Sequence, residues 1–232
     1  MDYNPLTQAE IDAVIAKMEA EAAKAIAEAR YAEMETVLLK NDLSLSELKR
    51  AETNENEAKR LASDHHHRTY RLTATVGDAT VKAAIEKLTI WHRIDPECPI
   101  TFIINSPGGD IIAGFHLFDT LRWLSDEGHS ITTIGLGMAA SMGGVILQAG
   151  DLRIMGPRSS LLIHEAQFVA GGSMGDIEDT VEFVKSLQNR ILDIFAARST
   201  LTKTQIRSRW KRKDWWLTAN ESLKFGFVDE VR

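Results

Sequence analysis

Apolar residues recur near the start of the chain in alternating steps of four and three: Ile11, Ile15, Met18, Ala22, Ala25, Ala29 and Ala32. This is the spacing of a helical, coiled-coil-like seam. Thr7 with Glu10 supplies a capping box at its start. The pattern predicts one helix from residue 7 to about residue 40, ended by Asn41-Asp42. A shorter helix, opened by Ser44 and Glu47, then runs out in the polar stretch 51–64. The seam is Ala-rich and the other faces are charged, which suits pairing with a partner helix as well as lying on the body. Residues 1–67 read as a helical extension and linker.

From Arg68 the pattern becomes that of a globular domain, residues 68–232. Tyr70 to Val76 alternates as a strand, and Val81, Ala84, Ile85, Leu88 and Trp91 mark a helix over 79–91. Ile100–Ile104 is an apolar strand that runs into Asn105-Ser-Pro-Gly-Gly109. The following helix turns Ile111, Phe115, Phe118 and Leu121 inward, with Ile112 beside them. Further strands are predicted at 131–136, 152–155 and 161–164, with helices after Ser141, over 174–199 and after Thr202. Trp215-Trp-Leu-Thr218, a helical turn through Leu223 and a strand-like Phe227-Val228 close the chain. Strands alternating with helices predict an α/β domain with mostly parallel pairing.

Composition narrows the function classes. The 232 residues are 44% hydrophobic, enough for a sizeable core, and carry a net charge of −6, which argues against nucleic acid or an anionic membrane as partner. The single cysteine, Cys98, forms no intrachain disulfide and fits a reducing compartment. Met1-Asp-Tyr-Asn-Pro5 lacks the basic and apolar regions of a secretory signal, and no apolar run is long enough to span a membrane. The expectation is a cytoplasmic protein.

Chemistry concentrates at a few positions. Gly137-Met-Ala-Ala-Ser-Met-Gly-Gly144 places Ser141 on a small-residue turn between a strand and a helix. Such a turn is either a capped helix start or the presentation of a nucleophile beside unpaired N–H groups. The spacing is not that of the G-x-S-x-G elbow. Gly108-Gly109 suits either a plain turn or an anion-binding loop, and no Walker lysine follows. His164, ending the apolar run Leu161-Leu-Ile163, is either a satisfied core histidine or a general base. Glu165 would point to the other side of an extended chain. Asp214, between a basic cluster (Arg207, Arg209, Lys211, Arg212, Lys213) and Trp215-Trp216, is a salt-bridge partner, a cap, or the acid that orients His164. The basic cluster reads as a solvated face. His65-His66-His67 do not share one face of a helix or strand, so they read as an exposed linker or a tag remnant and no metal site is assigned.

Taken together and in order, these blocks resemble the ClpP family of serine peptidases. The resemblance runs from about Tyr70 to Val231 and includes Ile104-Asn-Ser-Pro-Gly-Gly109, Ala113-Gly114 with Asp119-Thr120, Gly137–Gly143, Ile163-His164, Lys213–Ala219 and Gly226–Asp229. It implies a crotonase-like ββα superhelix with the helical arm appended. By the same resemblance Ser141 is the nucleophile, His164 the base and Asp214 the third triad member. The N–H groups of Gly109 and Met142 form the oxyanion hole, and no cofactor is needed. It further implies an endopeptidase acting on unfolded or flexible polypeptides, in a homo-oligomer of heptameric or stacked rings, supplied by a Clp-type ATPase. In it, helix 174–199 is the handle that stacks the rings, and Gly171-Gly172 belongs to a segment bordering the substrate. The alternatives are a catalytically silent ring subunit and a crotonase-fold enzyme acting on acyl-CoA. Three features depart from the family pattern. Glu165-Ala166 replaces Gln-Pro after the histidine, Arg212-Lys213 replaces Asp-Arg before the aspartate, and the long arm replaces a short axial loop. The arm also resembles a scaffold-like segment, as in ClpP-like enzymes of phage head-assembly modules.

Overall fold

The computed structural model describes residues 7–232, and two compact units emerge, one ending at Leu61 and the other spanning Ala62–Arg232. The signal-peptide reading of Met1–Pro5 falls outside the described residues.

The first unit is a single helix, α1 (Gln8–Leu61). Its start is as expected: the Glu10 carboxylate accepts hydrogen bonds from the Thr7 N–H and hydroxyl at 2.8 and 2.9 Å. The break expected at Asn41-Asp42 is absent, and Ser44 opens no second helix. Asn and Asp cost a helix somewhat less than Gly and far less than Pro, and neither Gly nor Pro occurs between Pro5 and Gly77. No residue of α1 is buried, the Ile11–Ala32 seam included.

The second unit is built on a seven-stranded mixed sheet. In chain order its elements are β1 (Thr69–Leu72), α2 (Asp78–Ile94), β2 (Ile100–Ser106), α3 (Ile111–Asp126), β3 (Ile131–Ala140) and α4 (Met142–Leu147). Then come β4 (Leu152–Met155), β5 (Ser160–Ile163), α5 (Met174–Ala197), α6 (Lys203–Trp210), β6 (Trp215–Thr218), α7 (Ala219–Phe225) and β7 (Glu230–Val231). The order β1-β2-β3-β4-β7 is parallel throughout.

Strand β3 runs on to Ala140 instead of ending at Leu136, and the extension matters. Its first half, Thr132–Gly135, pairs with β4, whereas Met138–Ala140 pair with β5 at Ser160–Leu162. Between the halves Gly137 turns at φ 84°, where an added Cβ would press to 2.8 Å on the Asn105 Oδ1. The chain thus leaves one sheet partner and joins another. Strand β5 in turn pairs antiparallel with β6, the one antiparallel ladder among the described strands.

Helix α2 buries Val81, Ala84, Leu88 and Trp91, as its spacing predicts. Helix α3 buries Ala113, Gly114, Leu117, Leu121 and Leu124, while Ile112 is exposed, so its buried stripe is rotated from the one expected. Phe102, Phe195, Trp210 and Phe227 complete the core. Phe227 and Val228 are buried but not in a strand; the last strand is β7.

The triple-histidine segment lies in this unit and is not a mere linker. The Trp91 indole N–H donates to His65 Nδ1 at 2.8 Å, and Asp64 receives a two-pronged hydrogen bond from Arg71. No group of three His, Cys, Asp or Glu among the described residues is placed to hold a metal ion.

Candidate active site

Three adjacent strand ends build the site. Ser141 follows the last residue of β3, and its N–H donates to Leu162 O of β5 at 2.9 Å. His164 follows the last residue of β5. Asp214 precedes β6, whose antiparallel ladder with β5 ends at Ile163↔Trp215, one residue short of both His164 and Asp214. The sheet order β3-β5-β6 therefore puts the serine, the histidine and the aspartate next to the ends of neighbouring strands, from positions far apart in the sequence.

Ser141 has φ 53° and ψ −121°, outside the regions a serine ordinarily occupies. Strain of this kind at a residue with no Gly freedom persists only where the surroundings hold it. Here they do. An added Cβ on Gly108 would meet the Ser141 Cβ at 2.5 Å and Ala140 O at 2.8 Å, so only glycine fits against the serine turn. The Gly108 loop is itself pinned: Val76 N–H donates to Gly108 O at 2.7 Å, and Asp110 N–H to Val76 O at 2.9 Å. The hydroxyl of buried Ser106 donates to Ala74 O at 2.6 Å and accepts from Gly108 N–H at 3.2 Å.

Ser141, His164, Gly109 and Met142 line one cavity of about 320 Å³, with an apolar floor that includes Ile111, Val145 and Phe195. The backbone N–H groups of Gly109 and Met142 donate to no other group among the described residues. Unpaired donors beside a nucleophile are what a developing oxyanion requires. Asp214 lines the adjoining hollow on the far side of His164 and is exposed. Among the described residues the three side chains make no hydrogen bond to one another; contacts of this kind commonly close only when substrate is bound.

Comparisons with known proteins identify the family. The Clp protease family model matches residues 50–232. The chain is 36% identical over 163 residues to the ATP-dependent Clp protease proteolytic subunit 2 of Tropheryma whipplei, covering 69% of this chain and 88% of that one. It is 34% identical to proteolytic subunit 1 of Leifsonia xyli (69% and 81% covered) and 35% identical to the proteolytic subunit of Bacteroides thetaiotaomicron (69% and 72%).

The chain belongs to the Clp protease family.

It is a ClpP-like serine peptidase with a mixed α/β fold. Against that family, the departures at Glu165 and Arg212 meet each other in space. The chain leaves the strand at Ile163, so the alternation expected to turn Glu165 away from His164 no longer operates. His164 and Glu165 line the same cavity. The Glu165 carboxylate accepts a hydrogen bond from the Arg212 N–H at 3.1 Å, and the Ala166 N–H donates to the Gln188 side chain at 3.0 Å. Sequence reasoning missed these two contacts and the role of Ser106. Only Ser106 carried a signal, as a buried polar position at the end of an apolar strand. The basic cluster is partly a packing element: the Arg209 guanidinium lies over the Trp215 and Phe225 rings at 5.4 and 5.3 Å.

Proposed function

We propose that this Clp-type peptidase cleaves internal peptide bonds of unfolded or flexible polypeptides, with Ser141, His164 and Asp214 as its triad. The observation that carries the reading is the shared cavity, which a strained Ser141 lines together with His164, Gly109 and Met142. In this mechanism His164 takes the Ser141 hydroxyl proton as Oγ attacks the carbonyl carbon. The Gly109 and Met142 N–H groups receive the negative charge that forms on the carbonyl oxygen. His164 then returns the proton to the leaving amine, and water releases the acyl group by the reverse sequence. Asp214 holds the imidazole in the productive tautomer and stabilises its charged form.

Residues 68–232 form the peptidase domain in this reading, and residues 1–67 its helical extension. The protein works as a ring-shaped homo-oligomer in the cytoplasm, without metal or organic cofactor. Three relatives carry "ATP-dependent" in their names, which supports a Clp-type ATPase as the partner that delivers substrate. Among the described residues no helix is long and apolar enough to cross a membrane. The test is the hydrolysis of an unfolded protein and a fluorogenic peptide by the wild type and by Ser141→Ala. Loss of both activities in the variant is expected; turnover of acyl-CoA in place of peptide would overturn the reading.

A further inference from the structure

The β5–β6 ladder stops at Ile163↔Trp215, one residue short of both His164 and Asp214. Sheet pairing therefore brings the two chains together but does not fix the two residues that must meet. The segment 211–214 is a turn without regular structure, and Arg212 sits in it at φ 57°, a left-handed conformation unfavourable for a residue with a Cβ. Two of its N–H groups are held by the preceding helix α6: Lys211 donates to Arg207 O at 3.1 Å and Lys213 to Trp210 O at 3.1 Å. That of Arg212 is held across the gap, by the Glu165 carboxylate.

We propose that Glu165 is a positioning residue that ties the turn carrying Asp214 to the chain carrying His164. The proposal rests on the triad reading above. Glu165 adjoins His164 in the chain, and Arg212 lies two residues before Asp214, so one hydrogen bond bridges the two segments where the ladder has ended. A carboxylate accepting a backbone N–H makes a stronger bond than a neutral acceptor would, and the run Lys211-Arg212-Lys213 adds favourable charge around it. The tether also has a fixed base. Ala166, next along, is bonded to Gln188 of α5, so the 164–166 segment is held on one side by α5 and on the other by the turn. Glu165 is thereby occupied with backbone and is not itself the acid that orients His164.

The experiment compares kcat and KM for a fluorogenic peptide in Glu165→Ala and Glu165→Gln, each made in the wild-type and in the Asp214→Asn background, at matched oligomeric state. Glu165→Ala should lower kcat roughly tenfold with little change in KM, as expected when a catalytic group is misplaced and substrate binding is intact. Glu165→Gln keeps an acceptor for the Arg212 N–H and should recover most of that loss. In the Asp214→Asn background Glu165→Ala should cost nothing further, because the group it positions is gone. Wild-type kcat in Glu165→Ala, or an equal loss in both backgrounds, would overturn the proposal. Full activity in Asp214→Asn alone would locate the failure in the triad assignment and remove the proposal with it. A Glu165→Gln as impaired as Glu165→Ala would show that the charge matters and the tether does not.

Discussion

Gly108 lies against Ser141 with no room for a side chain between them: a Cβ on Gly108 would lie 2.5 Å from the Ser141 Cβ. Gly108 also has φ 97°, a region that side chains avoid. Gly108→Ala is expected to displace the serine turn, to destabilise the fold by about 3 kcal/mol, and to cut kcat/KM by roughly 100-fold through misplacement of the nucleophile. Thermal melting together with peptide hydrolysis checks both. A variant with wild-type kcat/KM would mean that Ser141 is not held by this contact.

A second prediction concerns the ion pair between Arg153 of β4 and Asp229. Arg153, with only 7% of its side chain exposed, makes a two-pronged contact with Asp229 and also reaches Gln148, Arg198 O and Phe227 O. Asp229→Ala leaves that guanidinium without its counter-charge and should cost about 3 kcal/mol, the low end for a broken buried pair because the carboxylate is partly exposed. Chemical denaturation measures it.

The same carboxylate predicts how stability depends on pH. Burial pushes the Asp229 carboxyl up, but the hydrogen bonds and charge of Arg153 outweigh it and leave the group below its ordinary value. Asp151 behaves alike: burial raises it, while bonds from the Ile131 N–H, Arg122 and Ser125 bring it down. A carboxyl depressed in the folded state stabilises the fold fully above the unfolded value of about 3.9 and loses that contribution as pH falls through the folded value. Melting temperature should therefore drop on acidification below about pH 4, and Asp229→Asn should flatten that drop. An unchanged acid limb in the variant would contradict this account.

Sequence periodicity carried much of the fold because the domain's helices bury one stripe each and its strands are short apolar runs. Val81, Ala84, Leu88 and Trp91 follow the helical period, and Leu152–Met155 stands where it was expected. Periodicity fails where structure depends on a residue's partner. Gly137 reads locally as the end of a strand, yet it is a kink at which β3 changes partners, and β5, distant in sequence, supplies the new one. Asn41-Asp42 looks like a break but lacks the backbone penalty of Gly or Pro. The candidate site was legible as residue types, since Ser141, His164 and Asp214 each sit at a strand boundary. The nearness of these strand ends was not, because the antiparallel β5–β6 pairing that brings them together leaves no local trace. The resemblance to a known family, not the pattern, joined them.

The helix α1 yields a separate prediction. Removing residues 1–61 should lower the helical circular-dichroism signal by the share that a helix over Gln8–Leu61 contributes. An unchanged helical signal would contradict this helix.

The most direct test of the central claim is the reaction of a fluorophosphonate probe with the wild type and Ser141→Ala at matched oligomeric state, read by peptide mass alongside hydrolysis of an unfolded protein. The account predicts a single adduct on Ser141 and hydrolysis in the wild type, both absent in the variant. An adduct on another serine, or undiminished hydrolysis by Ser141→Ala, would contradict it.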